Sequence, residues 1–313
     1  MFKRLMQSVR SKNDKINRIT EIEKLLLSGH KSPKINLGQL QGYFNNKKES
    51  IENLSEVEFQ VFSQWGDDGI IQYLINKLDI PNKTFIEFGV ENYTESNTRF
   101  LILNDNWTGY VLDGSEDNVI YIKNDAVSWA CELHAVSAFI TKENINDLIK
   151  RVNFNKEVGI LSIDIDGNDY WVWKEIDCIN PIIVIAEYNS VFGKNTSWTV
   201  PYDPAFVRKE KHFSTLYYGA SLRALATLAN EKGYEFIGCN SKGNNAYFIR
   251  RDKIGPFRIK SVDEGYVLSK FREAHVDSKW VNGLDRIKMI DGLDVYDLDS
   301  QKVEKINAAN VQY

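Results

Sequence analysis

No apolar run in these 313 residues is long enough to cross a membrane. The longest, Pro181 to Ala186 (PIIVIA), falls far short of the roughly 20 residues that a span needs. The N-terminal MFKRLMQSVRSKNDK is basic but has no apolar core, so no secretory signal is expected. Cysteine is scarce. Cys131, Cys178 and Cys239 are far apart and fit neither a CxxC nor a metal-ligand spacing, which suits reduced thiols in a bacterial-type cytoplasm. An excess of basic charge is also missing: the formal net charge is −4, which argues against a general nucleic-acid binder. No repeat or low-complexity tract is visible. With 43% apolar and 26% charged residues, the composition is that of an ordinary globular chain.

What charge there is sits unevenly. Residues 1–34 carry nine Lys/Arg against three Asp/Glu. Ile19, Ile22 and Leu26 recur there at helical spacing, flanked by Ile16, Leu25 and Leu27, and Gly29 and Pro33 should end the helix. An arm over 1–55 is expected to dock on the body or on a second copy, giving a homo-oligomer. The alternative is a peripheral contact of its basic face with the inner membrane surface. A main domain should span 56–254, with 255–313 as an extension packing over it.

From about residue 60, short apolar runs alternate with amphipathic stretches. Strands are expected at Thr84–Gly89, Gly109–Asp113, Trp129–Val136, Gly159–Ile165 and Ile182–Tyr188. Helices are expected at Asp67–Leu78, Ser96–Asn104, Glu143–Val152, Tyr170–Ile176 and Ser221–Lys232. Glu235–Cys239 and Asn245–Arg250, joined by NSKGN, read as an antiparallel hairpin closing the sheet. The fold class that follows is α/β, a doubly wound and mostly parallel sheet.

Ligands of such sheets bind at the carboxyl ends of the strands. Strand one ends in Glu87-Phe88-Gly89, followed by Ser96-Asn97-Thr98, and strand two ends in Asp113-Gly114-Ser115, 26 residues after Glu87. An acid at the second position suits ribose hydroxyls, with a helix N-cap as its plainer use. No GxGxxG accompanies them, which counts against NAD or FAD and favours S-adenosylmethionine, an adenosine cofactor without a diphosphate. Strand four ends in Asp164-Ile165-Asp166-Gly167-Asn168-Asp169, and strand five in Glu187-Tyr188-Asn189. Neighbouring strands would bring Asp166, Glu187 and Asn189 together as a hard-cation site for Mg2+, or leave the acids for catalysis and binding without metal. The segment Ser190–Gly219 is too long for a simple connection and is expected to bind substrate. Its polar groups are Asn195, Trp198, Tyr202, Asp203, His212, Ser214, Tyr217 and Tyr218. His212 is the histidine best placed to serve as a general base.

The strings FSQWGDDGIIQYLI (62–75), FIEFGVENYTESNTRFLI (85–102), LSIDIDGNDYWVW (161–173), EYNSVFG (187–193), VPYDPAF (200–206) and YYGASLRALATLANEKGY (217–234) resemble bacterial FkbM-type proteins. These are class I S-adenosylmethionine-dependent methyltransferases, and the resemblance runs from about residue 55 to 295. It implies a Rossmann-like methyltransferase sheet. Glu87 and Gly89 would line the methionine portion of the cofactor, Asp113 would hold its ribose, and Asp164 to Gly167 would lie beside the transferring methyl; Asn97, Gly114 and Ser115 are expected to bind the cofactor with them. The family's glycine-rich loop is reduced here to Gly89. The resemblance also implies a surface-polysaccharide setting, with a sugar or glycan hydroxyl as acceptor. The expected activity is O-methyl transfer, with Asp166 or His212 taking the hydroxyl proton. Two rivals remain: a metal-dependent glycosyltransferase using Asp164 and Asp166 as a DxD pair, and a silent partner in a glycan assembly complex.

Overall fold

The computed structural model describes residues 33–270, 274–276, 279–281 and 283–313. The expected arm helix around Ile16–Leu27 lies outside them. Pro33 itself opens a helix. Helix α1 (Pro33–Asn46) begins there, because proline at a first helical position loses no hydrogen bond and its φ is already set. Helix α2 (Asp67–Lys77) leads into strand β1 (Thr84–Phe88), α3 (Arg99–Asp105) and β2 (Thr108–Asp113). Next come α4 (Glu116–Asn124), α5 (Ala126–Ala130), β3 (Leu133–Ser137), α6 (Ile145–Lys150) and β4 (Ile160–Ile163). The chain goes on through α7 (Asp169–Glu175), β5 (Ile183–Glu187), β6 (Trp198–Thr199), α8 (Arg208–Lys211) and α9 (Leu222–Glu231). Strands β7 (Tyr234–Cys239) and β8 (Asn245–Arg250) are followed by α10 (Val262–Gly265). The short pair β9 (Ala274–Val276) and β10 (Lys279–Val281) precedes β11 (Asp294–Asp297) and β12 (Lys302–Lys305).

Seven strands form the main sheet in the order β3-β2-β1-β4-β5-β8-β7. The pairs among β1 to β5 are parallel, and β8 runs antiparallel to both its neighbours, as the hairpin reading requires. This is the doubly wound, mostly parallel sheet closed by an antiparallel hairpin that the sequence implies. Strand alternation sends Phe85, Val111, Ile160 and Ile183 to one face, where they pack with Ile70, Leu74, Leu101 and Val119. Ile86, Leu112, Leu161 and Val184 go to the other, against Leu148, Trp173 and Leu225. Both faces are therefore buried, which is why these strands read as unbroken apolar runs.

One strand expectation needs correcting. Trp129–Val136 is not one strand, because Asp125 accepts the Val127 N–H and starts a short helix, leaving Trp129 84% exposed; β3 begins at Leu133. Helix α4, absent from the sequence reading, is capped by Ser115, whose side chain accepts from Asn118 N–H.

The C-terminal residues form a layer with the segment after β5. Strands β6, β11 and β12 make a three-stranded antiparallel sheet. Under it Val191, Phe192, Trp198, Val200 and Leu216 pack on Ile287, Ile290, Val295 and Ile306.

Candidate functional site

The chain steps outward from β1 to β2 and β3, then returns to β4 on the other side of β1. That reversal opens a crevice at the carboxyl ends of β1 and β4. A cavity of about 420 Å³ lies there, within the roughly 300–1,000 Å³ usual for small ligands. Among the described residues, Glu87, Gly89, Asn97, Asp113, Gly114, Asp164, Asp166 and Glu187 line it together.

Glu87 is buried and turned towards the start of α3. Its carboxylate accepts the Asn97 N–H at 2.9 Å and the Thr98 N–H at 3.1 Å, and the Thr98 hydroxyl as well. Burial outweighs these donors and pushes its pKa up to about 7. Asn97 reaches across with its amide to the Ser162 hydroxyl, 3.1 Å away. Gly89 has φ +69°, and a Cβ on it would stand 1.6 Å from the Asp164 carbonyl oxygen. The missing side chain thus admits strand β4's own backbone, where the sequence suggested a ligand.

Asp113 Oδ1 accepts Ser115 N–H and the Asn118 amide, both at 2.9 Å, while Oδ2 accepts Glu91 N–H at 2.7 Å. A carboxylate offers about four acceptor sites, so these contacts leave one, on Oδ2. Gly114 lines the cavity beside Phe139, whereas Ser115 serves as the cap of α4 and lies outside the lining.

Beyond β4, Asp169 accepts Ile165 N–H at 2.8 Å and Gly167 N–H at 2.9 Å and so clamps the loop. Within the loop Asp166 takes a left-handed conformation, φ +56°. Asp164, Asp166 and Glu187 each place a carboxylate oxygen within 4.8 Å of the others. Burial first, then the Asp166 and Asp169 charges, drives the Asp164 pKa well above its ordinary value. Glu187 is raised in the same way by burial and by Asp164. Both carboxyls are therefore harder to ionise than isolated ones.

The expected metal set assembles only in part: Asp166 and Glu187 come together, with Asp164 beside them, but Asn189 does not join. Asn189 is buried away from the cavity: its amide donates to the Leu216 and Tyr218 carbonyls at 2.8 and 3.0 Å, and its oxygen accepts Val191 N–H at 3.0 Å. Arg208 Nη1 stands 2.5 Å from Asp166 Oδ1. With the amide oxygen spent and one carboxylate already paired, the residues present do not make a hard-cation shell.

None of the eight polar groups singled out in the Ser190–Gly219 segment lines the cavity. Most of them fasten the segment. Trp198 Nε1 donates to Asp297 at 3.0 Å, Tyr217 donates to the Asp294 carbonyl at 2.5 Å, and Asn195 donates to the Asn310 carbonyl at 3.1 Å. His212 pairs Nδ1 with the Ser214 hydroxyl at 2.7 Å, and burial lowers its pKa. The segment instead contributes Phe206 and Arg208 to the lining, and Asn168, Asn244 and Asn245 join from elsewhere. No spacing in the sequence marks Arg208, one of three bases in RKEK.

No family model matches the chain, and no curated protein matches it. Among solved structures it is similar to the N-terminal domain of EvdMO1 with SAH bound, at 10% identity over 71% of this chain and 97% of that one, TM-score 0.38. It is similar to an S-adenosylmethionine-dependent methyltransferase from Clostridium acetobutylicum, at 11% identity over 59% and 90% of the two chains, TM-score 0.36. An O-methyltransferase from Bacillus cereus in complex with SAH gives 12% identity over 71% and 92%, TM-score 0.35. Similarity of this size assigns no activity to the chain.

Proposed function

We propose that the chain is an S-adenosylmethionine-dependent O-methyltransferase acting on a hydroxyl of a sugar or glycan precursor. The observation that carries the reading is the charge of the cavity at the strand reversal. Seven of its lining residues are Asp or Glu, and Arg208 is the sole base among the described ones. Burial raises the pKa of three of these acids, Glu87, Asp164 and Glu187. The other four, Glu91, Glu95, Asp113 and Asp166, still outnumber Arg208. Such a wall favours a cationic cofactor over a diphosphate, which argues against NAD, FAD or a nucleotide sugar. The sequence resemblance supplies the activity class and the glycan acceptor.

When bound, S-adenosylmethionine would supply a methyl group already activated on sulfur. The chain's part is binding, alignment and one proton. Asp113 keeps one acceptor site, on Oδ2, for a ribose hydroxyl, while Gly114 and Phe139 flank that end of the cavity. Glu87, Asn97 and Asp164 wall the end nearest β4. Asp166, exposed at the rim, would take the proton of the acceptor hydroxyl as its oxygen attacks the methyl carbon and the sulfur leaves as a neutral thioether. His212 lies outside the lining, so the base is assigned to Asp166. Holding acceptor and methyl donor in line accounts for several kcal/mol of barrier lowering.

The test is calorimetric titration with S-adenosylmethionine and S-adenosylhomocysteine, with UDP-sugars plus Mg2+ as the comparison. Micromolar binding of the homocysteine form, abolished in a folded Asp113→Ala variant, is expected. Binding of a UDP-sugar alone would shift the assignment to a glycosyltransferase. A lack of binding by every ligand would leave a catalytically silent partner.

A further inference from the structure

Three carboxylates within 4.8 Å of one another need positive charge beside them or protons on them. The sheet provides no base there. The positive charge comes from the insert between β5 and α9, and this insert is fastened to the β4 loop at several points. Phe206 packs so closely on Gly167 that a Cβ there would stand 2.2 Å from its ring. Asn168 donates to the Asp203 carbonyl at 2.8 Å, and Trp171 donates to the Val200 carbonyl at 2.9 Å.

The guanidinium that arrives this way is held from several directions. Arg208 Nε donates to the Thr215 carbonyl at 2.6 Å, its plane lies 3.5 Å over the Tyr218 ring, and Nη1 meets Asp166. Its side chain is 16% exposed, unlike a loose surface arginine. A delocalised, weakly hydrated cation fixed by stacking and hydrogen bonds gives up little freedom on pairing. A divalent ion would have to displace it from Asp166.

We propose that Arg208 is the resident cation of the Asp164, Asp166 and Glu187 cluster, standing where a divalent metal would otherwise bind and positioning Asp166. The site is therefore metal-independent, although its acids look like a metal set. This goes beyond the methyl-transfer reading and can be tested without any cofactor.

Mn2+ is titrated into the full chain and free ion is followed by electron paramagnetic resonance. Wild type and Arg208→Lys are expected to show no ion held at the cluster. Arg208→Gln should gain at least ~10-fold in Mn2+ affinity, and adding Asp166→Asn should remove that gain. Arg208→Met keeps bulk against Tyr218 without charge, so it serves as a second charge-free variant if the glutamine protein does not fold. The proposal fails if wild type binds one Mn2+ per chain in an Asp166-dependent manner. It also fails if a folded charge-free variant gains no affinity. A structural role for Arg208 alone would not create a metal site.

Discussion

Glu87 shows how one side chain at this site couples fold to pH. An unfolded glutamate ionises near its ordinary 4.5, whereas burial keeps the proton on Glu87 to about 7. Between those values the folded chain binds more protons than the unfolded one, so stability falls as pH rises. Asp68 and Asp169, both raised by burial to about 6, act in the same direction. At about 1.4 kcal/mol per pH unit, Glu87 alone contributes a loss of about 3 kcal/mol across this window. Chemical denaturation between about pH 5 and 8 should therefore show stability decreasing. Glu87→Gln should flatten that decrease, and an unchanged slope would mean that the carboxyl does not titrate as described.

Among the elements, α9 owes its start to Ser221, whose hydroxyl oxygen accepts Ala224 N–H at 3.2 Å and Trp198 N–H at 3.1 Å. The same hydroxyl donates to the Thr196 carbonyl at 2.6 Å. It thus caps a helix and ties β6 to it. Losing a helix cap costs about 1 kcal/mol, and leaving a buried N–H unpaired costs a similar amount again. Ser221→Ala should lower the unfolding free energy by about 2 kcal/mol in urea, and a loss below ~0.5 kcal/mol would contradict this account. The helix was legible as SLRALATLANEK because its apolar positions repeat every three or four residues. The AVSWA helix was not, since five residues are too few to show a period and a local aspartate cap decided the outcome.

For the molecule as a whole, the insert after β5 and the C-terminal residues fold as one layer beside the cavity at the carboxyl ends of the strands. Buried Arg286 donates to the Ser269 carbonyl and hydroxyl, and Ser269 in turn bonds Ser190 at the end of β5. Ile287, Ile290, Val295 and Ile306 cover the insert, each contributing about 1.5–3 kcal/mol by burial. A chain ending at residue 270 should keep most of its sheet signal in circular dichroism while binding 1-anilinonaphthalene-8-sulfonate strongly. Dye binding no greater than that of the full chain would show that the insert packs without its cover.

The main sheet and the acids at its strand ends were determined by local sequence. An apolar run of five or six residues buried on both faces has few other structures available, and Glu87, Asp113, Asp164 and Glu187 follow directly on such runs. What those acids do was decided by tertiary structure. Asp113 spends three of its acceptor sites on the chain itself, Gly89 admits a backbone rather than a ligand, and Asn189 turns to the insert. Arg208 reaches Asp166 across 42 positions of chain. A contact between segments so far apart leaves no period or spacing in the sequence, because it is fixed only when the insert packs against the β4 loop.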